Sequence, residues 1–377
     1  MRIRFGLRVL RLVPLALLVS LVSSGHALAA KGGKKKAEPA APAQTMDSGD
    51  PVEKEVSEPT AATPKKKTDE ELEEEQRQRD WKFDAVQVAK SRARDKVGVF
   101  GNVVIGFGKA PEPGPAATRT TGKTTAATFM AGVRYDVSPD FTVGLRLPFT
   151  VGSERQLSTG LTQSSSVLGT PELLGEYRVT LSPFTILPIF FGLGIPVAQG
   201  NYDTLDGQRA ARMNDFADAA SGYRDPELFA PHRLPVKVGI GIEYERKALN
   251  AHASTKLVAG VKAGAKDWAP RDPIGSYDVK GVSLRSVTAA GIAYQVIDKP
   301  KLYIAADSWF AVSAINPVEF ESFDHAEKPT RFQVVFEPRI GARFGKISPS
   351  VGYIFPIGGR LADTTVSGLE LHCDVAF

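Results

Sequence analysis

Few residues in this chain have types and spacings that suit chemistry, and each such set fits a wall better than a catalytic centre. Glu370-x-His372-x-Asp374 puts three ionisable side chains on one face of an extended segment, but same-face strand neighbours stand about 6.6 Å apart and seldom chelate one metal unaided. His252-x-Ser254 has the spacing for a base and a hydroxyl nucleophile on one strand face, yet it lies beside a short turn with no orienting amide. Gly122-Lys123-Thr124 has the end of a phosphate loop, but the glycine needed five positions earlier is Ala117. The acids Asp203, Asp206, Asp215, Asp218 and Asp225 cluster near Arg209, Arg212 and Arg224 without the spacing or bidentate Glu of a calcium loop. Neither GxSxG nor HExxH occurs. The single cysteine, Cys373, excludes a disulfide framework, a cysteine zinc cluster, a CxxC centre and a lipid anchor on a cysteine just after an export signal. The expectation is a protein that is not an enzyme, with no catalytic residue, metal or cofactor.

The elements around these residues begin with an export signal. Arg2, Arg4, Arg8 and Arg11 precede the apolar stretch Leu12 to Val22, and Ala27-Leu28-Ala29 follows as an A-x-A cleavage site, so residues 1–29 read as a removed signal peptide. Those four arginines supply most of the chain's formal net charge of +5, leaving a nearly neutral remainder and no case for nucleic acid as a partner. Residues 30–68 are rich in Lys, Pro, Ala and Glu with no aromatic residue, the composition of a disordered linker. Thr68 and Glu71 have capping-box spacing and open a charged helix expected over 69–95, with acids first and bases last. It reads either as a solvated helix beside the next domain or as an insert into its interior.

Over 96–377 the period changes to two. Phe141-x-Val143-x-Leu145-x-Leu147-x-Phe149 and Val236-x-Val238-x-Ile240-x-Ile242-x-Tyr244 alternate apolar with polar or small residues. Twelve such segments begin near Val97, Thr124, Phe141, Val167, Phe184, Pro235, Thr255, Gly281, Lys301, Arg331, Ile347 and Thr364. Short turns such as Ser138-Pro139-Asp140 and Asp298-Lys299-Pro300 alternate with long loops, the longest running from Ala198 to about Leu234. No apolar run of about 18 residues exists beyond the N-terminus, which excludes a multi-span helical protein, and 35 glycines and 26 prolines suit turn-rich β structure. The fold expected is all-β: a 12-stranded antiparallel up-and-down transmembrane barrel, preceded by a disordered arm and a short helix.

Aromatic placement decides which face meets lipid. On the apolar face the last aromatic residue before each short turn is Tyr135, Tyr177, Tyr244, Tyr294 or Phe344, and the final strand ends at Phe377. A ring of such side chains at one level is expected at a membrane interface, and a soluble core has no reason to align them. With the signal peptide, the strand-and-loop rhythm and the terminal Leu369-x-Leu371-x-Cys373-x-Val375-x-Phe377, residues 96–377 resemble the Gram-negative outer-membrane β-barrel proteins, porin-like members included. The resemblance implies an outer-membrane location, contact with outer-membrane lipid, and recognition of the strand ending in Phe377 by the barrel-assembly machinery.

The opposite parity then lines the interior: Arg134, Asp136, Arg146, Glu172, Glu176, Arg178, Lys237, Glu243, Glu245, Lys256, Lys262, Arg285, Asp307, Arg331, Glu337, Arg339, Arg343, Glu370, His372 and Asp374. Bases and acids balance, so a wet lumen passing small polar solutes by passive diffusion, without strong ion preference, is the expected function. Same-face glycines (Gly132, Gly144, Gly192, Gly241, Gly341) are expected to leave room for it. The alternatives are a closed structural or surface-interaction barrel, or one plugged by its N-terminal helix. The Ala198–Leu234 loop is long enough to constrict the bore, with a mobile surface loop as the default expectation.

Overall fold

Alternation of β-branched and aromatic residues with small or polar ones makes each segment a strand with one apolar face, and closure into a ring removes most free sheet edges. The computed structural model of the chain describes residues 68–92, 96–109, 121–156, 160–200, 205–263, 275–322, 332–359 and 366–377. The expected signal segment with Ala27 and Ala29, the linker up to Lys67, and Arg331 lie outside the described residues.

The wall consists of β1 (Val97–Lys109), β2 (Thr121–Ser138), β3 (Phe141–Gln156), β4 (Thr162–Leu168), β5 (Glu172–Ser182), β6 (Thr185–Gly194), β7 (Arg233–Arg246) and β8 (Leu249–Lys262). It continues with β10 (Val282–Asp298), β11 (Lys301–Ile315), β13 (Phe332–Arg343), β14 (Ile347–Gly359) and β15 (Ser367–Ala376). Short strands β9 (Gly275–Val279) and β12 (Val318–Ser322) pair only with each other. Every wall pairing is antiparallel, and the first and last strands meet over Gly98↔Ala376 to Phe107↔Ser367, which closes the barrel. Both β4 and β5 pair with β3, so they form one strand position broken at Gly169–Pro171, and the barrel has twelve strand positions.

The strand expected from Val167 therefore begins earlier and is interrupted. At the break, Gly169 N–H donates to the Pro148 carbonyl (3.0 Å), whereas Thr170 N–H donates to the carbonyl of Leu228, a residue of the long loop (2.7 Å). The connections on one rim are as short as expected. Lys247 takes a positive φ of 54° in the β7–β8 turn, and Gly345 one of 60° in the β13–β14 turn.

Side-chain orientation follows the parity. Phe129, Val133, Leu147, Leu173, Val238, Ile304, Phe336, Ile340 and Val351 are exposed on the outer face, whereas Asn102, Thr128, Glu172, Lys237, Glu337 and Glu370 are buried. An apolar exterior around a polar interior is the inverse of a soluble protein and the pattern of a transmembrane barrel. Among the described residues no helix is long and apolar enough to cross a membrane.

The helix ahead of the barrel, α1 (Asp69–Arg92), opens with reciprocal bonds: Glu71 N–H donates to Thr68 Oγ1 at 3.3 Å, and Thr68 N–H to Glu71 Oε2 at 3.1 Å. The chain divides into two compact units, Met1–Glu75 and Gln76–Phe377. Within the second, Trp81 stands edge-on to Phe184, and Asp84 accepts from Arg246 Nε at 3.2 Å.

Leu147 points outward from β3. Leu147→Arg is expected to destabilise the barrel by about 2–4 kcal/mol in a bilayer, as a charge on the lipid face near the midplane does. Reversible urea unfolding in lipid vesicles measures this, and a cost below about 0.5 kcal/mol would argue against an outward lipid face.

Candidate functional site

Between β6 and β7 the chain turns inward. Leu205–Ala220 forms α2, followed by a 3-10 turn at Pro226–Phe229. Along α2, Met213, Phe216, Ala217, Ala219 and Ala220 give an apolar face, and these residues are buried. Met213, Phe216, Ala219, Ala220 and Tyr223 pack with Val104, Ala126, Val167, Val287, Trp309, Ala311, Val335, Ile354 and Val366 from the wall. Leu228 and Phe229 add a second cluster with Met130 and Ala217.

Glycines make the approach possible. A Cβ on Gly106 would collide with the Ala220 methyl group, one on Gly368 with the Ala220 carbonyl, and one on Gly152 would lie 2.7 Å from the Met213 sulfur. The helix end is pinned by Trp309 Nε1–H donating to the Gly222 carbonyl at 2.7 Å.

Below this apolar layer the loop offers charges to the wall, and the wall is polarised across the bore. On the side of β3, β5, β7 and β8, Arg146 and Lys237 hold Glu172, Lys256 stands beside them, and the loop supplies Asp225 and Glu227. Arg146 reaches Asp225 at 3.2 Å and Glu227 at 3.0 Å, and Arg146 Nε donates to Glu172 at 2.9 Å. Lys237 reaches Glu227 at 2.8 Å and Glu172 at 2.6 Å, and Lys256 reaches Asp225 at 2.9 Å.

On the side of β11, β13 and β15 the wall is acidic, and the loop presents Arg224 to it. That guanidinium contacts Glu337 at 3.2 Å and Glu370 at 2.9 Å while lying 5.4 Å from the Trp309 ring centre. Arg339 supports Glu337 at 3.1 Å, Asn102 donates to Glu370 at 2.8 Å, and Arg285 holds Asp218 at 2.8 Å. Asp225 and Glu227 of the loop thus face wall cations and Arg224 faces wall acids, while Arg212 pairs with Glu154 of β3 at 3.3 Å.

Burial and neighbouring charges act in opposite directions on the loop carboxyls. Burial opposes the charge of Glu227, but Lys237 and Lys256 outweigh it and bring the carboxyl from its ordinary 4.5 down to about 2. Burial likewise opposes ionisation of Asp225, and Lys256, Arg146 and Arg224 overcome it, holding that carboxyl well below the usual range. For Asp218 burial wins over Arg285 and the carboxyl is pushed up.

Towards the short-turn rim most interior charged side chains are partly exposed. Arg134 and Asp374 (4.0 Å), His372 and Asp374 (2.9 Å), Glu176 with Arg178, and Asp136 accepting from Thr142 (2.6 Å) surround a vestibule. The His252 side chain, 43% exposed, sits 3.3 Å from Asp307, and Glu243 and Arg343 point the same way. On the rim itself Tyr135, Tyr177, Tyr294, Phe344 and Phe377 are exposed outward and Tyr244 partly so.

The interior residues read from parity thus separate into two groups. Arg146, Glu172, Arg285, Glu337, Arg339 and Glu370 bind the loop or brace its partners, and Asp307 joins them to the vestibule through Arg339 at 3.3 Å. Lys237 and Lys256 belong with them through Glu227 and Asp225, and Arg134, Asp136, Glu176, Arg178, Glu243, Arg343, His372 and Asp374 lie nearer the short-turn rim. Two expectations change. The long loop is seated inside the bore rather than on the surface. The interior glycines leave less room than expected, since Gly132 lies under the Phe100 ring, Gly192 under the Glu172 carboxyl group and Gly341 under the Tyr303 ring. The loop partner that residue types did not single out is Glu227; the signal for it was the helix-length spacing of Ala210, Ala211, Met213, Phe216, Ala217 and Ala220 just ahead.

No family model and no curated protein matches the chain. Solved structures similar to it include an outer membrane channel from Pseudomonas putida F1, with a TM-score of 0.49, 13% identity, and 74% of this chain and 95% of that one covered. Others are the NanC porin (TM-score 0.39, 9% identity, 74% and 98% covered) and the transport unit of the autotransporter AIDA-I from Escherichia coli (TM-score 0.42, 9% identity, 78% and 96% covered).

Arg224→Ala leaves Glu337 and Glu370 buried beside a single remaining guanidinium. It is expected to weaken seating of the loop by about 3 kcal/mol, read as faster proteolytic cleavage within residues 205–229, with the barrel itself resistant. The depressed carboxyls give a pH dependence of definite sign. Their stabilisation is complete above the unfolded value of 4.5 and is lost as pH falls through about 2. Asp218 acts in the opposite sense. In a chain whose other two tryptophans are Phe, Trp309 emission is expected to stay blue between pH 7 and 5 and to shift red as pH falls from 4.5 towards 2.

Proposed function

We propose that the chain is an outer-membrane channel for small polar solutes, closed at rest by its own β6–β7 loop. The observation that carries this reading is the polarised wall. A barrel built only to be filled would meet its plug with apolar side chains throughout, because buried ion pairs add little stability over hydrophobic packing of the same volume. Here the layer beneath the apolar contacts is ionic on both sides of the bore, and it becomes a water-wet, mixed-charge passage once the loop leaves.

Solutes then diffuse passively. Cationic and acidic walls facing each other orient dipolar and zwitterionic molecules without strongly favouring either ion sign. The vestibule residues Arg134, Asp136, Glu176, Arg178, Glu243, Arg343, His372 and Asp374 form the approach on the short-turn side. On the same reading a cleaved signal peptide exports the chain, and the strand ending in Phe377 is taken up by the barrel-assembly machinery. Tyr135, Tyr177, Tyr244, Tyr294, Phe344 and Phe377 then mark the lipid interface.

Planar-bilayer recording tests the proposal. The intact chain is expected to show rare, small openings. Asp225→Asn with Glu227→Gln, or replacement of residues 205–229 by a short Gly/Ser linker, is expected to raise mean conductance about tenfold or more, an order-of-magnitude expectation from freeing a buried charge cluster. Folded barrels of both variants that stay silent would favour a closed structural barrel.

A further inference from the structure

The segment of α1 that belongs to the barrel unit makes contacts on the far side of the ring from the strand it leads into. Trp81 meets Phe184, in the β5–β6 turn, with ring centroids 5.8 Å apart and planes at 88°. Asp84 lies 3.2 Å from Arg246 and 3.8 Å from Lys247, both at the β7–β8 turn, and Arg246 also covers the Phe184 ring at 5.1 Å. Asp84 and Phe184 are both buried by these contacts.

Yet the same chain enters β1 at Val97; in ring order β2 and β3 stand between β1 and the β5–β6 turn on the shorter way, and the β7–β8 turn is nearly opposite, with β2, β3, β5 and β6 on one side and β15, β14, β13, β11 and β10 on the other. A ring of twelve strands about 4.8 Å apart and tilted about 40° is about 24 Å across. From Asp84, the helix to Arg92 at 1.5 Å per residue plus the chain length left before Val97 can span at most about 28 Å. Chain length and chord match. Helix α1 is unbroken through Arg92, so it cannot follow the curve of the rim and must cut across it. Phe184 continues the inward parity of Ile186 and Pro188, so the indole rests on the inner lip of the wall.

We propose that residues 76–92 form a strap across the short-turn mouth of the barrel, latched on the opposite lip by Trp81 and Asp84. The strap covers the vestibule from the side that the β6–β7 loop does not reach, so the polar interior is bounded at both ends. Its latch is weaker than the buried knot. One partly exposed ion-pair cluster and one edge-to-face ring pair together bias docking about tenfold, so the strap opens far more readily than the loop.

The test reads coverage of the mouth rather than conduction, so it stands whether or not the channel reading holds. In the full-length chain with Cys373→Ser, the vestibule residue is replaced by His372→Cys. The purified protein in lipid nanodiscs is then treated with a maleimide on a bulky polyethylene glycol. Labelling is expected to be slow with the strap intact and about tenfold faster with Trp81→Ala and Asp84→Lys combined. Starting from Asp84→Lys alone, adding Arg246→Glu and Lys247→Glu rebuilds the ion pairs with opposite polarity and is expected to restore slow labelling. Equal labelling in the intact and Trp81→Ala/Asp84→Lys chains, or acceleration by Asp84→Lys that the swapped pairs do not reverse, would overturn the strap.

Discussion

The interior of this barrel depends on charge matching between one loop and two opposed walls. Asp225 and Glu227 enter a cluster of Arg146, Lys237 and Lys256, while Arg224, one residue earlier in the chain, turns to Glu337 and Glu370 on the other side. Buried charges are tolerated only with partners, so neither the walls nor the loop would hold these side chains dry alone. Together they define a depth in the bore at which the loop fits and a rotation at which each charge meets its opposite. The apolar contacts of Phe216, Ala219 and Ala220 add burial, but they would tolerate sliding. The ion pairs would not.

That constraint explains otherwise scattered features. The break in the wall at Gly169–Pro171 frees Thr170 to donate to Leu228, so a defect in one strand is an anchor for the loop. Gly106, Gly152 and Gly368 are small because α2 lies against them. Trp309, large and inward on β11, is accommodated because its N–H finds the Gly222 carbonyl and its face takes Arg224. Each is a cost to an empty barrel and a contact in a filled one.

Much of the wall was legible in the sequence, because a period of two assigns every strand residue to a face and the parity of Arg146, Glu337 or Glu370 needs no tertiary information. The strand ends and turns followed from Pro, Gly and the aromatic residues beside them. The interior was harder to read. An arginine on a polar face looks the same whether it meets water or a carboxylate from a loop many residues away, and Asp218 or Arg224 in a long connection looks like any solvated loop residue. Glycines on the inner face were equally ambiguous, since Gly132 and Gly192 serve the ring of Phe100 and the carboxylate of Glu172 rather than open space. The amphipathic spacing of Met213, Phe216, Ala217 and Ala220 was the one local sign that the loop had an apolar surface to bury.

Amide hydrogen exchange of the intact chain in lipid bilayers at neutral pH tests the seated loop most directly. If the charge-matched knot holds, amides of residues 210–224 exchange on the slow timescale of the neighbouring strands β1 and β15. Exchange of that segment within seconds, as in a solvated loop, would contradict it.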